Sequence, residues 1–297
     1  MPASHLPPLP CYLNGEFTSL PNAKVSVMDR GFVFGDGIYE VVPVYRGEPF
    51  RFAEHMARLD RSLATTRIPN TLSHAQRLEI TQKLIAAYAH SKGVETENTD
   101  QLVYLQITRG VALRDHAMLE NLTPTVFAMS NRFSLPSAEQ FARGVACVTA
   151  DDFRWQKAHI KSVSLLGSVF ARQISVDAGA AETIMFRDGY LSEASSSNVW
   201  VVKDGMVMGP PKDNLVLEGI RYGLIEELCR AQNIPFQLRR ISRDEVLHAD
   251  ELLLSSATKE VLAIATLDGQ SVGKGAPGAV ARALYDGYQK LKTARSS

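Results

Sequence analysis

Residues 37–45 read Gly-Ile-Tyr-Glu-Val-Val-Pro-Val-Tyr, and this stretch decides the first half of the fold. Its β-branched and aromatic residues are typical of a strand, and Arg46-Gly47 supplies the turn that ends it. Further along, the apolar residues follow a helical repeat, because Met56, Leu59 and Leu63 recur at the spacing of one helix face. A strand followed by an amphipathic helix predicts a domain of mixed α and β structure.

The flanking segments extend this domain in both directions. Asn14-Gly15 predicts a tight hairpin, because these two residue types readily adopt the positive φ angles that such a turn requires. A second helix is expected over about Ser73–Ser91, and the apolar run Gln101–Ile107 is typical of a further strand. We therefore expect a small α/β domain over residues 1–131.

The second half of the chain has a different composition. Residues 132–136 are polar and contain a proline, and we place the linker between two domains there. Three Asp-Gly pairs then predict β-hairpins in a largely antiparallel, β-rich domain over residues 137–297: Asp188-Gly189, Asp204-Gly205 and Asp268-Gly269. Helices are expected over Ser164–Asp177 and Ile220–Gln232. The first helix has apolar residues on one side: Leu165, Leu166, Val169, Phe170 and Ile174. The expected fold class is α+β.

Charge and composition argue against several classes of function. Lys+Arg and Asp+Glu balance at 32 each with no run of like charge, so the charge distribution does not indicate binding to nucleic acid or anionic lipid. No apolar run reaches the roughly 18 residues of a membrane span, and a signal-peptide pattern is lacking. Three widely spaced cysteines fit buried thiols better than a disulfide framework or a metal site. We expect a cytoplasmic protein that binds small molecules and no metal.

Lys161 is the first candidate for chemistry. It lies in His159-Ile160-Lys161-Ser162-Val163-Ser164, between a polar stretch and an apolar helix. An amine held among apolar neighbours loses hydration and becomes available as a nucleophile toward an aldehyde. The alternative is a lysine at a helix start whose charged end stays in water.

A carboxylate precedes a run of small hydroxyl residues at positions 191–198, Leu-Ser-Glu-Ala-Ser-Ser-Ser-Asn. Glu193, placed against a pyridine nitrogen, would keep that nitrogen protonated, and a protonated ring withdraws electrons from a carbanion. The run could equally be a loop of serine turns.

Three further segments could hold an anionic group. Arg58 matches a phosphate in charge and in the geometry of its guanidinium, although it could be a solvated helix arginine. Gly219-Ile220, at a predicted helix start, offers free N–H groups to an anion. Ser256-Ala257-Thr258 belongs to a small hydroxyl loop that could complete the site.

Together these segments resemble the fold-type IV pyridoxal-phosphate enzymes over nearly the whole chain. Asp29–Val41 resembles the entry to that family's first-domain sheet, Ile160-Lys161-Ser162 its Schiff-base segment, and Ser192–Val199 its pyridine-nitrogen motif. The resemblance implies that pyridoxal 5'-phosphate is held covalently by Lys161, between a small first domain and a larger second domain that carries Lys161 and Glu193. It also implies cofactor contacts for Arg58, Glu193, Leu217, Gly219, Ile220, Arg221, Ser256, Ala257 and Thr258.

Three positions depart from the pattern of the family. Arg221 stands where the phosphate loop usually has threonine, so the phosphate would depend more on backbone N–H groups, on Thr258 or on Arg221 itself. Ala257 removes a second hydroxyl but keeps its backbone N–H, and Ala194 stands where glycine is common.

Within that family the chain resembles the D-amino-acid aminotransferases. In these enzymes an arginine, a histidine and a tyrosine grip the substrate α-carboxylate, and Arg114, His116 and Tyr39 stand at the matching positions. The chemistry agrees, because a guanidinium, an imidazole and a phenol can share one carboxylate. The alternative is a polar surface loop. In the family the arginine and histidine come from the neighbouring subunit, so the resemblance also implies a homodimer with shared active sites.

The resemblance implies transamination between a D-amino acid such as D-alanine and a 2-oxo acid such as 2-oxoglutarate. Lys161 would move the proton at the substrate α-carbon. The same scaffold leaves open branched-chain L-amino-acid aminotransferase, aminodeoxychorismate lyase and (R)-amine transaminase, none of which is expected to present Arg114 and His116 in this way. A non-catalytic pyridoxal-phosphate carrier is the alternative from a different class, but it would need no grip on a carboxylate.

Overall fold

The computed structural model describes residues 6–293, which divide into two compact units. The first unit contains the described residues up to Ser134 together with Ile160–Leu165, and the second contains Leu135–His159 and the described residues from Leu166 onward. Our expectation that Lys161 belongs to the second domain was wrong. Its segment is tied to the first unit by backbone bonds from Tyr39 N to Lys161 O (3.0 Å) and from Val163 N to Gly37 O (2.9 Å).

The first unit contains a six-stranded antiparallel sheet within the described part of the chain. Its strands are β1 (Pro10–Leu13), β2 (Glu16–Ser19), β3 (Gly37–Tyr45), β4 (Glu48–Pro49), β5 (Gln101–Thr108) and β6 (Thr125–Arg132), in the order β2-β1-β6-β5-β3-β4. Its helices are α1 (Arg30–Phe34), α2 (Phe52–Thr66) and α3 (His74–Ser91), with a 3₁₀ turn at Thr96–Asn98. The predicted hairpin is confirmed, because Asn14 and Gly15 join β1 to β2 with positive φ.

The core of this unit follows from the predicted helix period. Met56, Leu59 and Leu63 are at most 1% exposed and belong to one apolar cluster with Ile38 and Val42 of β3. Burial of each such side chain stabilises the fold by roughly 1.5–3 kcal/mol. The cluster therefore holds α2 against β3, which places both elements for the site described below.

The second unit contains a nine-stranded sheet within the described residues. Its strands are β7 (Val145–Asp151), β8 (Glu182–Arg187), β9 (Tyr190–Ala194), β10 (Asn198–Lys203), β11 (Met206–Gly209), β12 (Phe236–Leu238), β13 (Glu251–Ser256), β14 (Glu260–Leu267) and β15 (Gln270–Ser271). Its helices are α4 (Ala138–Arg143), α5 (Leu166–Asp177), α6 (Ile220–Ala231), α7 (Arg243–Leu247) and α8 (Ala279–Thr293). The strand order is β12-β11-β10-β13-β14-β7-β8-β9, with β15 paired to β14.

This sheet is mixed rather than purely antiparallel. The three predicted Asp-Gly hairpins are confirmed as the turns β8–β9, β10–β11 and β14–β15. Three other pairings are parallel: β7 with β8, β7 with β14 and β11 with β12. Strands β7 and β8 can run parallel because α5 provides the long crossover that a parallel pair requires. Within residues 6–293 no helix is both long and apolar enough to span a membrane.

The apolar side of α5 is exposed. Leu166, Val169 and Phe170 are 69%, 60% and 59% exposed, whereas the buried residues of this helix are Ala171 and Ser175. Helix α5 thus packs against its own unit through small residues and presents its large apolar side chains outward. An exposed apolar face of this kind marks an interaction surface more often than a chance arrangement.

Candidate active site

Lys161 lies against an aromatic ring in the first unit. Its Nζ is 4.3 Å from the centroid of the Tyr39 ring, which in turn stacks on Tyr104 at 5.7 Å between centroids. Because Tyr39 N also donates to Lys161 O, both the backbone and the side chain of Lys161 are placed by β3. The structure therefore brings together two of the predicted site residues, Lys161 and Tyr39.

Arg58 forms a buried ion pair that the sequence did not predict. Its Nε and Nη2 donate to the two oxygens of Glu40 at 2.7 and 2.8 Å, and His55 Nδ1 lies 2.7 Å from Glu40 Oε2. Burial alone would raise the pKa of Glu40, but Arg58 and His55 outweigh it and hold that pKa well below its ordinary value. Arg58 is thus not a solvated helix arginine. Glu40 fixes the plane of its guanidinium, which carries five N–H donors in all.

A second buried cluster fixes the start of β3. Asp36 accepts from Arg30 Nε at 2.8 Å and from Arg109 Nε at 2.7 Å. Arg109 also donates to the backbone oxygens of Thr66 and Arg67, at the end of α2. The cluster joins the entry to β3, the end of β5 and the end of α2, so it fixes the start of β3, the strand that carries Tyr39.

Arg114 and His116 form a second group in the first unit. The Cζ of Arg114 lies 5.5 Å from the centroid of the Phe34 ring, and the His116 ring lies 5.3 Å from the same centroid. Both residues are exposed. The two side chains therefore contact one ring, and their binding of a substrate carboxylate stays a prediction.

Glu193 lies in the second unit, at the end of β9, and its carboxylate is almost fully buried. Its Oε1 accepts from Arg154 Nη1 at 2.8 Å, and its Oε2 accepts from Asn198 Nδ2 and from the backbone N of Leu217, each at 3.2 Å. Burial raises the pKa of Glu193, and the Arg154 guanidinium opposes that rise. Leu217, which the resemblance placed at the cofactor, therefore contacts Glu193 through its backbone.

The sequence analysis missed Arg154. It lies between two buried carboxylates, because it bonds Glu193 and also donates Nε and Nη2 to Asp152 at 2.9 and 3.0 Å. Burial alone would raise the pKa of Asp152, and the bonds from Arg154 hold it below its ordinary value. The available signal was Asp152-Phe153-Arg154, in which opposite charges stand two residues apart and can share one face of an extended segment.

Helix α6 begins at Gly219 without a side-chain cap. A Cβ at this position would clash with Asn198 Oδ1, so the close approach requires glycine. The uncapped N–H groups of a twelve-residue helix favour an anion, and contact of Gly219 and Ile220 with a phosphate stays a prediction. Arg221 turns inward: it is 2% exposed, and its Nη2 donates to the Tyr288 hydroxyl at 2.9 Å. A role for Arg221 at the phosphate stays a prediction.

The hydroxyl loop and the serine run meet at Glu182 within the second unit. Ser256 Oγ accepts from the backbone N of Thr258 at 3.3 Å and of Lys259 at 3.1 Å, and Lys259 Nζ donates to Glu182 at 2.8 Å. Glu182, which is fully buried, also accepts from the hydroxyls of Ser195, Ser196 and Ser197. Burial alone would raise the pKa of Glu182, but Lys259 and the serines hold it below its ordinary value. The serine run is therefore a fixed loop, adjoining Asn198, that bonds one buried carboxylate.

A family model described as amino-transferase class IV matches residues 37–267. The chain belongs to the class IV amino-transferases. It is 36% identical to a D-alanine aminotransferase of Bacillus licheniformis, over 93% of this chain and 94% of that protein. It is 37% identical to a D-alanine aminotransferase of Staphylococcus aureus (strain MSSA476), over 94% of this chain and 96% of that protein.

Solved structures agree with this family. The fold IV-transaminase CpuTA1 from Curtobacterium pusillum is 25% identical, with a TM-score of 0.80 over 94% of this chain and 93% of that one. The branched-chain amino acid aminotransferase from Escherichia coli has a TM-score of 0.84 over 98% of this chain and 97% of that one, but it is 22% identical, so it supports the fold alone. The expected α+β, fold-type IV architecture is confirmed.

The protein is a pyridoxal-phosphate aminotransferase, and its residues fit that cofactor. The first unit offers an amine at Lys161 and an oriented guanidinium at Arg58. The second unit offers a buried carboxylate at Glu193 and the uncapped start of α6 for an anion. These are the groups that an aldehyde, a phosphate and a ring nitrogen require.

Proposed function

We propose that this aminotransferase transfers the amino group of a D-amino acid, such as D-alanine, to a 2-oxo acid such as 2-oxoglutarate. The observation that carries the proposal is the 36–37% identity, over nearly the full chain, to enzymes named D-alanine aminotransferase. Arg114, His116 and Tyr39 support it, because together they offer a cation and hydrogen-bond donors to an α-carboxylate. The branched-chain enzymes among the structural neighbours are 21–24% identical, so their likeness supports the fold alone.

Lys161 has two tasks in this proposal. When bound, pyridoxal 5'-phosphate supplies an aldehyde that captures an amino group and a ring that withdraws electrons. Lys161 would hold the cofactor through Nζ and, once the substrate amine has taken its place there, would carry the proton to and from the substrate α-carbon. Its contact with the Tyr39 ring keeps Nζ near one position, which is what a proton carrier needs.

Glu193 keeps the ring nitrogen protonated. Burial raises the pKa of Glu193, but the Arg154 guanidinium opposes that rise and favours the ionised carboxylate, which next to a ring nitrogen would favour the protonated ring. The bonds from Arg154, Asn198 and Leu217 hold both oxygens of Glu193 in place while it does so. Because this carboxylate is already in place, the protein need not reorganise when the ring carries its charge.

In the first unit, Arg58 is the residue that would contact the phosphate of the cofactor. In the second unit, the groups suited to it are the backbone N–H groups at Gly219 and Ile220 and the Ser256–Thr258 loop. The Glu40 pair favours this role for Arg58, because it fixes the orientation of the guanidinium. The uncapped start of α6 adds donors of the kind that phosphates select in other proteins. Arg221 adds positive charge at the same helix end.

The enzyme forms a homodimer whose subunits share active sites. The apolar side of α5, with Leu166, Val169 and Phe170 more than half exposed, supports an interface with a second copy of this chain. Replacing Phe170 by glutamate should convert the dimer to monomers in sedimentation velocity, whereas the same change at exposed Phe17 of β2 should not. A parent protein that sediments as a monomer at every concentration contradicts the assembly.

The test of substrate class is Arg114→Ala. Loss of a charge-assisted bond worth roughly 1.5–3 kcal/mol should lower kcat/KM for D-alanine about ten- to a hundredfold. An (R)-amine without a carboxylate should lose much less. Arg143→Ala is the matched control, because its side chain is 79% exposed on α4. Equal losses on both substrates, or none on either, would show that Arg114 does not bind a carboxylate.

A further inference from the structure

Phe34 is the common contact of the two residues that we assign to the substrate carboxylate. The Phe34 ring is half-buried, and the Cζ of Arg114 lies 5.5 Å from its centroid. The His116 ring is tilted against it, with 5.3 Å between the two ring centroids. A cation over an aromatic face is attracted to it, and tilted aromatic pairs are favourable too. One ring therefore fixes two side chains that otherwise extend from an exposed loop.

Arg30 fixes the backbone between those two side chains. Its Cζ lies over the same Phe34 ring at 4.8 Å, and its Nη1 donates to the backbone oxygen of Asp115 at 2.6 Å. Arg30 is itself 3% exposed and is held by Asp36. Residues 114, 115 and 116 are thus each attached to one small group of side chains.

The ring is attached to a short helix with two fixed ends. Asp29 caps the start of α1 by accepting from Gly31 N at 2.8 Å. Gly35 ends it with a φ of 68°, a left-handed conformation that glycine adopts without strain, and its oxygen accepts from Ser164 Oγ at 2.8 Å. Phe34 is consequently held in place by α1, and the loop over residues 114–116 packs against its ring.

We propose that Phe34 and Arg30 are positioning residues for recognition of the substrate carboxylate, because they set the spacing between Arg114 and His116. The inference rests on the proposed function, in which Arg114 and His116 bind that carboxylate. A loop held in its binding conformation loses less entropy when the substrate binds, so loss of the ring weakens substrate binding more than it slows the chemical step.

The experiment uses the holoenzyme in single turnovers with D-alanine. Phe34→Leu keeps an apolar side chain but removes the ring, and it should raise the half-saturating D-alanine concentration about five- to twentyfold while changing the plateau rate less than about twofold. Phe34→Tyr keeps the ring and should restore the parent value. Phe17→Leu is the matched control, because it removes a 47% exposed ring of the same unit.

A double variant separates this proposal from the proposed function. If Phe34 acts through Arg114, then Phe34→Leu added to Arg114→Ala should cost no more than about twofold beyond Arg114→Ala alone. Additive losses, or a plateau rate that falls with the half-saturating concentration unchanged, would overturn the inference. An Arg114→Ala variant with parent kinetics would instead overturn the assignment of Arg114 to the carboxylate, the part of the proposed function on which this inference rests. If Phe34→Leu does not fold, Phe34→Met, which also removes the ring, must raise the half-saturating concentration in the same way.

Discussion

Arg154 offers a quantitative test of how Glu193 is held. Replacement by methionine keeps most of the side-chain volume but removes the only positive charge bonded to Glu193 among the described residues and most of the bonding to Asp152. The three side chains are 9%, 7% and 0% exposed, so water cannot replace the lost bonds fully. Removing one partner from such a buried group costs about 3–5 kcal/mol. We expect Arg154→Met to lower the free energy of unfolding by that amount.

The loss should depend on pH in a defined direction. In the parent, Arg154 holds the pKa of Asp152 below its ordinary value, so this carboxylate stabilises the fold above its unfolded pKa and stops doing so as the pH falls through its folded value. In the variant, Asp152 keeps its pair with Arg187 Nη2 at 3.2 Å but loses Arg154, so the pKa values of both carboxyls rise relative to the parent, and protonation then relieves the buried charges as the pH falls. The difference between variant and parent should therefore be largest near pH 8 and should shrink toward about pH 5.

The assay is urea unfolding of parent and variant at both pH values, with Arg143→Met as the control. Arg143 pairs with Glu139 at 3.1 Å on α4, with the two side chains 79% and 71% exposed, and such a pair contributes only about 0.3–0.5 kcal/mol. If Arg154→Met unfolds within about 1 kcal/mol of the parent, or if its deficit grows on acidification, the ion-pair reasoning is refuted.

Three further changes test the site. Lys161→Ala should end covalent capture of the cofactor, so that borohydride no longer fixes the cofactor to the chain. Turnover should fall by roughly a thousandfold or more, because the variant lacks both the nucleophile and the proton carrier. Near-parent turnover would refute the assignment of Lys161. Glu193→Gln should leave the cofactor bound but slow the single-turnover rate about tenfold or more, since an amide cannot hold a proton on the ring nitrogen; an unchanged rate would exclude that role. Glu182→Gln should weaken cofactor binding about tenfold, because Lys259 and three serines lose one anionic partner. The measurement is an equilibrium titration of the apoenzyme with the cofactor. Parent affinity would show that this cluster does not support the Ser256–Thr258 loop.

Local features of the fold could be predicted from the sequence because their causes are local. The Asn-Gly and Asp-Gly turns follow from residues that tolerate positive φ, and α2 and α6 follow from the helical spacing of their apolar residues. The position of Lys161 could not, because its segment joins the first unit through non-local backbone pairing with β3. Periodicity carries no information about which distant strand a segment will pair with.

The partners of the candidate site residues were harder to predict than the residues themselves. Glu40 is the one charged residue in the strand over positions 37–45, and a charge in such a buried strand indicates a partner without naming it. Arg58 provides that partner from α2, eighteen positions along the chain. Likewise, the sequence pattern of α5 predicted which side of the helix is apolar but not that this side is exposed, because burial depends on what lies opposite a helix.

The central claim is tested most directly by the absorbance of the purified holoenzyme mixed separately with D-alanine, L-alanine and L-leucine in the absence of a 2-oxo acid. The cofactor should convert from its aldehyde form to its amine form with D-alanine at least about tenfold faster than with either L-amino acid, a preference of the size that a lost charge-assisted bond to the carboxylate would produce. Faster conversion with L-leucine than with D-alanine would contradict the account.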